Sequence, residues 1–244
     1  MAKRENVGVK QVDISQSAKA YQVLSEQIVT LKIAPGSIMV EQELIAASGF
    51  GRTPVREALQ KLERDMLIQI LPRRGILIEP IDFERPLMAL DVRVRVEGLI
   101  MERAARLSSD MERRLFERIA LQMEASLAAN DPVAFATLDQ NFDNHALHCA
   151  RHEVAARVLR PLHAVGRRIG YHEAISNPFI QKKNVQLHIN LARAVAKEDL
   201  PSVYQYLGGV FEATRQSLLA LGDMESVNVI PNPDEGTEIM EESK

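Results

Sequence analysis

The chain has 244 residues, 46% of them apolar, 26% charged and 5% aromatic, with no Trp and one cysteine, Cys149. That balance fits one large or two ordinary globular domains, and the wealth of Leu, Ala, Glu and Arg favours helix over sheet. A lone cysteine excludes an intramolecular disulfide and a cysteine-built zinc finger. The net charge of −3 is compatible with a nucleic-acid partner without demanding one, because seven acids against one base fall in residues 223–244 and leave the rest weakly positive.

Residues 1–17 are polar and aperiodic and read as a flexible arm, and their charges have no apolar stretch behind them as a secretion signal would. No apolar run approaches the roughly 18 residues of a membrane span, so a cytoplasmic protein without membrane contact is expected. From Ala18 to Lys32, Val23, Leu24, Ile28 and Leu31 fall at helical spacing. Ala34-Pro35-Gly36-Ser37 ends that helix, and Ile38, Met39 and Val40 suit a short strand. Glu41 to Ser48 reads as a second helix with acids in its first turn, and Gly49-Phe50-Gly51 as a compact turn.

The next helix carries the strongest local signals. Thr53 is the expected N-cap and Pro54 the first helical residue, and Val55, Ala58, Leu59 and Leu62 form one apolar stripe. Arg52 and Arg56 lie off that stripe at the N-terminal end, where cations do not help a helix. They are either a solvated helix start or a grip on a phosphate or base outside the protein. Two short helices around a Gly-containing turn are the helix-turn-helix signature. Residues 67–71 and 76–79 are β-rich and flank Pro72-Arg73-Arg74-Gly75, which predicts a hairpin serving as a wing, with Arg73 and Arg74 at its tip.

After a connector at 82–85 the pattern is helical to about Leu221, in six segments: 86–107, 110–129, 132–150, 153–173, 178–197 and 200–221. Asp131-Pro132, Ser176-Asn177-Pro178 and Asp199-Leu200-Pro201 mark helix starts. The expected architecture is mainly α. A winged helix-turn-helix over 18–81, with three helices and a short β-hairpin, precedes an all-α six-helix bundle over 86–222 large enough for a central cavity. Residues 223–244 read as a disordered acidic tail.

Residues 28–79 resemble the winged helix-turn-helix of the GntR family of bacterial transcription regulators. The resemblance is carried by Ala34-Pro35-Gly36, Glu41-Gln42-Glu43-Leu44, Arg52 to Leu59, Leu62-Glu63 and Pro72 to Gly75. The helical part is similar to the FCD effector-binding domain of the FadR subfamily, and six helices suggest its shorter, VanR-like branch. The resemblance implies DNA contact by Arg52, Thr53 and Arg56, with Gly75, Arg73 and Arg74 near the minor groove. Gln42 stands where some members use a DNA-contacting Arg, and Gly51 where many have Ser. The alternative for Arg56 is an intrahelical pair with Gln60. A homodimeric repressor on a short inverted repeat of double-stranded DNA is implied, its operator affinity set by a small effector, most often an organic acid.

Many FCD domains hold a metal through an Asp, a His four residues on, and two later His. Here Asp139 keeps the first place, Asp143 replaces the His, His188 keeps the third and Val210 stands at the fourth. Two carboxylates and one His make a poor zinc or nickel site and a weak one for a hard divalent ion. Without a metal, paired carboxylates need a proton or a cation between them, and a Lys, an Arg or an amine on the effector would serve. His145, His148 and His152 share spacing on one helix and read either as a metal face or as residues flanking the apolar stripe. Arg93 matches the family Arg-x-x-x-Glu, which makes it either the partner of an effector carboxylate or half of a surface pair with Glu97. The effector pocket is thus expected at Arg93, Asp139, Asp143 and His188. The rival functions are a metal-dependent hydrolase using Asp139, Asp143 and His188, and a helical interaction protein. No nucleophile–base pair or phosphate loop is recognisable, and neither rival explains Arg52 to Leu59 and the wing.

Overall fold

A computed structural model describes residues 15–82, 84–176 and 178–227. Most of the expected arm and tail lies outside that range. The chain divides after Pro80 into two compact units.

The first unit is built from α1 (Gln16–Val29), β1 (Ile38–Met39), α2 (Glu41–Ser48), α3 (Arg52–Arg64), β2 (Ile68–Leu71) and β3 (Gly75–Ile78). Ser15 starts α1 by accepting from the Ala18 N–H at 3.2 Å. Glu43 reaches back to the Val40 N–H at 2.8 Å and starts α2, while Gly49 ends it at φ +73°. Thr53 is not the cap of α3. The helix opens two residues earlier than expected, at Arg52, with Gly51 extended before it and the Gly51 carbonyl accepting from the Val55 N–H at 3.2 Å. Glycine is itself a tolerated N-cap. Pro54 still falls in the first turn, where a missing N–H breaks no helical bond.

The apolar stripe of α3 is buried as expected: Val55, Ala58, Leu59 and Leu62 pack with Ala20, Leu24 and Ile28 of α1 and Leu44 of α2. Each large apolar side chain buried this way contributes about 1.5–3 kcal/mol. The hairpin pairs Leu71 with Gly75 and Ile68 with Ile78. β1 adds to its far side, giving an antiparallel sheet in the order β1-β3-β2. Gly75 has φ +116°, and a Cβ there would lie 2.7 Å from the Met39 carbonyl oxygen, so only glycine lets β1 approach the turn.

The described residues of the second unit form six helices: α4 (Glu84–Leu107), α5 (Asp110–Ala129), α6 (Pro132–Cys149), α7 (Glu153–Ser176), α8 (Pro178–Ala196) and α9 (Leu200–Val227). The connector is shorter than 82–85, because Asp82 accepts from the Arg85 N–H at 3.0 Å and the helix has begun by Glu84. At the other end α9 runs through Val227, so residues 223–227 are helix and not tail. They contain no Pro, and the first one beyond is Pro231.

Local chemistry sets the breaks. Ser109 and Glu112 form a capping box, and Asp131 accepts from the N–H groups of Val133 and Ala134 with Pro132 at the first position. The core gathers Ile100, Met101, Phe116, Met123, Phe142, Leu159, Ile189 and Val203. α8 packs on α5 and α9, and α4 on α6, α7 and α9. No helix among the described residues is long and apolar enough to cross a membrane.

Candidate nucleic-acid interface and ligand cavity

In the first unit, Gln42, Arg52, Thr53, Arg56, Arg73 and Arg74 are all exposed, and Gly75 is half-buried. Arg56 does not pair with Gln60. Its Nε donates to Glu41 Oε2 at 2.8 Å, and the Arg52 Nε lies 3.3 Å from Glu41 Oε1. One carboxylate at the start of α2 therefore holds both arginines of α3. About 60% of each arginine side chain remains exposed, 59% for Arg52 and 61% for Arg56. Exposed pairs of this kind stabilise a fold by no more than about 1 kcal/mol, so Glu41 does more to orient the guanidinium groups than to hold the domain together. Arg73 has φ +63° in the β2–β3 turn, and the wing is tied to α3 where Glu63 accepts from the Ile70 N–H at 2.8 Å.

The second unit has a partly open cavity between α4, α6, α7, α8 and α9. Arg93, Asp139, Asp143 and His188, the four residues expected in the pocket, all line it. The Arg93–Glu97 pair forms, but it is not on the surface. The Arg93 Nε donates at 2.9 Å and Nη2 at 3.3 Å to the two Glu97 oxygens, and the side chains are 11% and 4% exposed. Burial works against the Glu97 charge, yet Arg93 and then His163 outweigh it and hold the carboxyl well below its usual range.

Asp143 finds its cation inside the protein. Arg167 Nη1 donates to Asp143 Oδ2 at 2.9 Å, and His163 Nδ1 lies 3.2 Å from the same oxygen. His163 Nε2 faces Glu97 at 3.5 Å. Arg93, Glu97, His163, Asp143 and Arg167 thus form a row of alternating basic and acidic side chains that ties α4, α6 and α7 together. Burial pushes the Asp143 carboxyl up to about 6, against the pull of His163 and Arg167. Across the cavity, His188 Nε2 stands 3.4 Å from Asp139 Oδ1.

The trio His145, His148 and His152 does not converge. His145 contacts Phe116 and the Glu112 carbonyl, His148 is exposed beside Glu112, and His152 Nδ1 accepts from the Ala155 N–H at the start of α7.

Comparison with known proteins gives two domain matches in the same order. Residues 16–78 match the bacterial regulatory proteins of the gntR family, and residues 89–212 match the FCD domain. The chain belongs to the gntR family of bacterial regulatory proteins. It is 28% identical over 202 residues to the HTH-type transcriptional repressor RspR of Escherichia coli K12, covering 80% of this chain and 87% of RspR. It is 31% identical over 187 residues to an HTH-type transcriptional regulator in an unstable DNA locus of Streptomyces ambofaciens, covering 74% of this chain and 75% of that one. Among solved structures, Escherichia coli McbR/YncC superposes with a TM-score of 0.70 at 16% identity, covering 87% of this chain and 100% of that one. A GntR regulator from Rhodococcus sp. RHA1 gives 0.64 at 19% identity, covering 85% and 99%. This GntR-family chain is a DNA-binding transcription regulator with a metabolite-binding FCD domain.

The metal that many FCD domains carry does not fit the residues present. Asp143 is already bonded to Arg167, and Val210, which lines the same cavity, offers no donor atom. Among the described residues the His, Asp and Glu side chains whose donor atoms lie within 4.8 Å of one another are Glu97, Asp143 and His163, not Asp139, Asp143 and His188. That trio is flanked by two guanidinium groups, which repel a divalent cation. Neither Arg167 nor His163 was legible in the sequence as a partner of Asp143. They sit one helical turn apart on α7, and that spacing within a largely apolar helix was the available signal.

Proposed function

We propose that this regulator acts as a homodimeric repressor. The two start regions of α3 would enter successive major grooves of a short inverted repeat. The observation that carries the DNA role is the placement of Arg52 and Arg56: exposed, off the buried stripe, and fixed by one carboxylate at the head of a well-packed helix. Guanidinium groups held there suit bidentate contact with guanine O6 and N7, at about 1–3 kcal/mol for each specific contact. Thr53 and Gln42 flank them, and Arg73 and Arg74 beside Gly75 would approach the minor groove. The repressor sense is supported by the name of RspR and by that of the gluconate operon transcriptional repressor of Bacillus subtilis 168, which is 26% identical over 142 residues, 58% of each chain.

The FCD cavity would take a small organic acid. Arg93 lends it positive potential, although two of its nitrogens are committed to Glu97, and Arg167 is the better placed partner for a ligand carboxylate. Effector binding would repack the helices around the charged row and shift the dimer between DNA-competent and incompetent arrangements. The direct test is fluorescence anisotropy on a palindromic operator fragment. Binding is expected to weaken steeply with salt and to be lost in a folded Arg56→Ala protein. Retained specific binding by that variant would refute the role given to α3.

A further inference from the structure

A further acidic group, Asp139, lines the same cavity. Asp143 and Glu97 each form an ion pair with a guanidinium group, whereas the close contact of Asp139 among the described residues is with His188, and Arg93 adds a longer-range attraction. The His188 Nδ1 lies 2.9 Å from the Asn184 carbonyl oxygen, a contact that places the ring proton on Nδ1. The other ring nitrogen, Nε2, faces the Asp139 carboxylate. One turn earlier on the same face of α8, Asn184 also lines the cavity, and its buried Oδ1 has no hydrogen-bond partner among the described residues. Asp139 and Asn184 Oδ1 are acceptors on two helices of one cavity, and the Asn184 oxygen lacks a donor. Phe135 stands edge-on to His188 at 5.5 Å and, with Pro132 and Ala136, gives this end of the cavity an apolar wall. On the α7 wall, Arg167 spends one nitrogen on Asp143.

We infer that the effector is a zwitterion: its protonated amine sits among Asp139, Asn184 and His188, in the place where relatives hold a metal, and its carboxylate meets Arg167. An ammonium supplies three donors and one positive charge, which suit the Asp139 carboxylate and the unpartnered Asn184 oxygen. A divalent ion would find only Asp139 and His188, since Asp143 is taken by Arg167 and Val210 cannot ligate. The inference depends on the cavity being the effector site.

The test uses the full chain after dialysis against a chelator. Thermal shift and calorimetry are run with the standard amino acids and the ω-amino acids from 4-aminobutyrate to 6-aminohexanoate, each beside its des-amino acid, and operator binding is followed in parallel. Amine-bearing acids are expected to bind and their des-amino partners not to. Asp139→Asn should weaken the best amino acid by about ten- to a hundredfold, and Asn184→Ala should weaken it too. The ligand-free Asp139→Asn protein should keep the wild-type circular dichroism spectrum, since the amide is of the carboxylate's size, so that its loss of affinity reads the site and not the fold. Equal or tighter binding of a des-amino acid overturns the inference, and if that acid also alters operator binding the effector cavity itself stands. Stoichiometric zinc or nickel uptake that is lost in Asp139→Asn overturns it as well. Failure of every compound to bind or to change operator affinity overturns both.

Discussion

At the residue scale the two sites use carboxylates in opposite ways. Glu41 is half-buried but the two arginines it holds are exposed, so its worth to stability is small and its effect on them is orientation. Glu41→Gln should therefore leave the melting temperature nearly unchanged, strengthen binding to random duplex DNA and narrow the gap between operator and non-operator affinity. Anisotropy on both DNAs measures that gap, and an unchanged ratio would deny Glu41 any part in orienting Arg52 and Arg56. Asp143 is buried, and its partner Arg167 is 8% exposed. Removing one partner of such a pair strands the other charge, at a cost of about 3–5 kcal/mol. Arg167→Ala should lose that much in urea unfolding of the helical unit, with Arg167→Lys losing less. Gly166 lies against the guanidinium of Arg93 so closely that a Cβ would collide with Nη1. Gly166→Ala should displace an arginine pinned by Glu97 and cost about 1–3 kcal/mol in the same assay.

At the scale of elements, the helix boundaries were legible wherever a cap is local. Asp131-Pro132 and Ser109 with Glu112 bond within three or four residues, so their side chains announce the helices they start. The start of α3 was ambiguous for the same reason: Gly51 and Thr53 are both acceptable caps, and nothing in the local sequence chooses between them. The partners of Arg56 and Asp143 were not legible, because Glu41 lies 15 residues from the first and Arg167 lies 24 from the second, and only packing brings them together. The row of Arg93 to Arg167 and the unpartnered Asn184 oxygen of α8 belong to that same class. The capping box of α5 also carries a pH dependence. The Ser109 backbone N–H, then its hydroxyl, and then Arg151 pull the Glu112 carboxyl from 4.5 to about 2. A depressed folded value means the contribution is complete above about 4.5 and is lost as the pH falls toward 2. Acid unfolding followed by circular dichroism should show that loss, and Glu112→Gln should lower stability at neutral pH and flatten the dependence between those values.

At the scale of the molecule, a winged helix-turn-helix unit precedes a helical unit with a charged, partly open cavity, and the domain matches fall in the same order. The hydrophobic periodicity made this division readable, since a buried stripe must repeat along each helix whatever the function. The ligand was not readable, because two of the four family ligand positions had changed and what replaced them depends on α7 and α8 meeting α6. Selection of binding sites by the full chain from random duplex DNA tests the regulatory role most directly. Enrichment of a short inverted repeat, with affinity falling steeply as salt rises and lost in Arg56→Ala, is the expected result. Recovery of no enriched sequence, or of the same sequence by the Arg56→Ala protein, would contradict it.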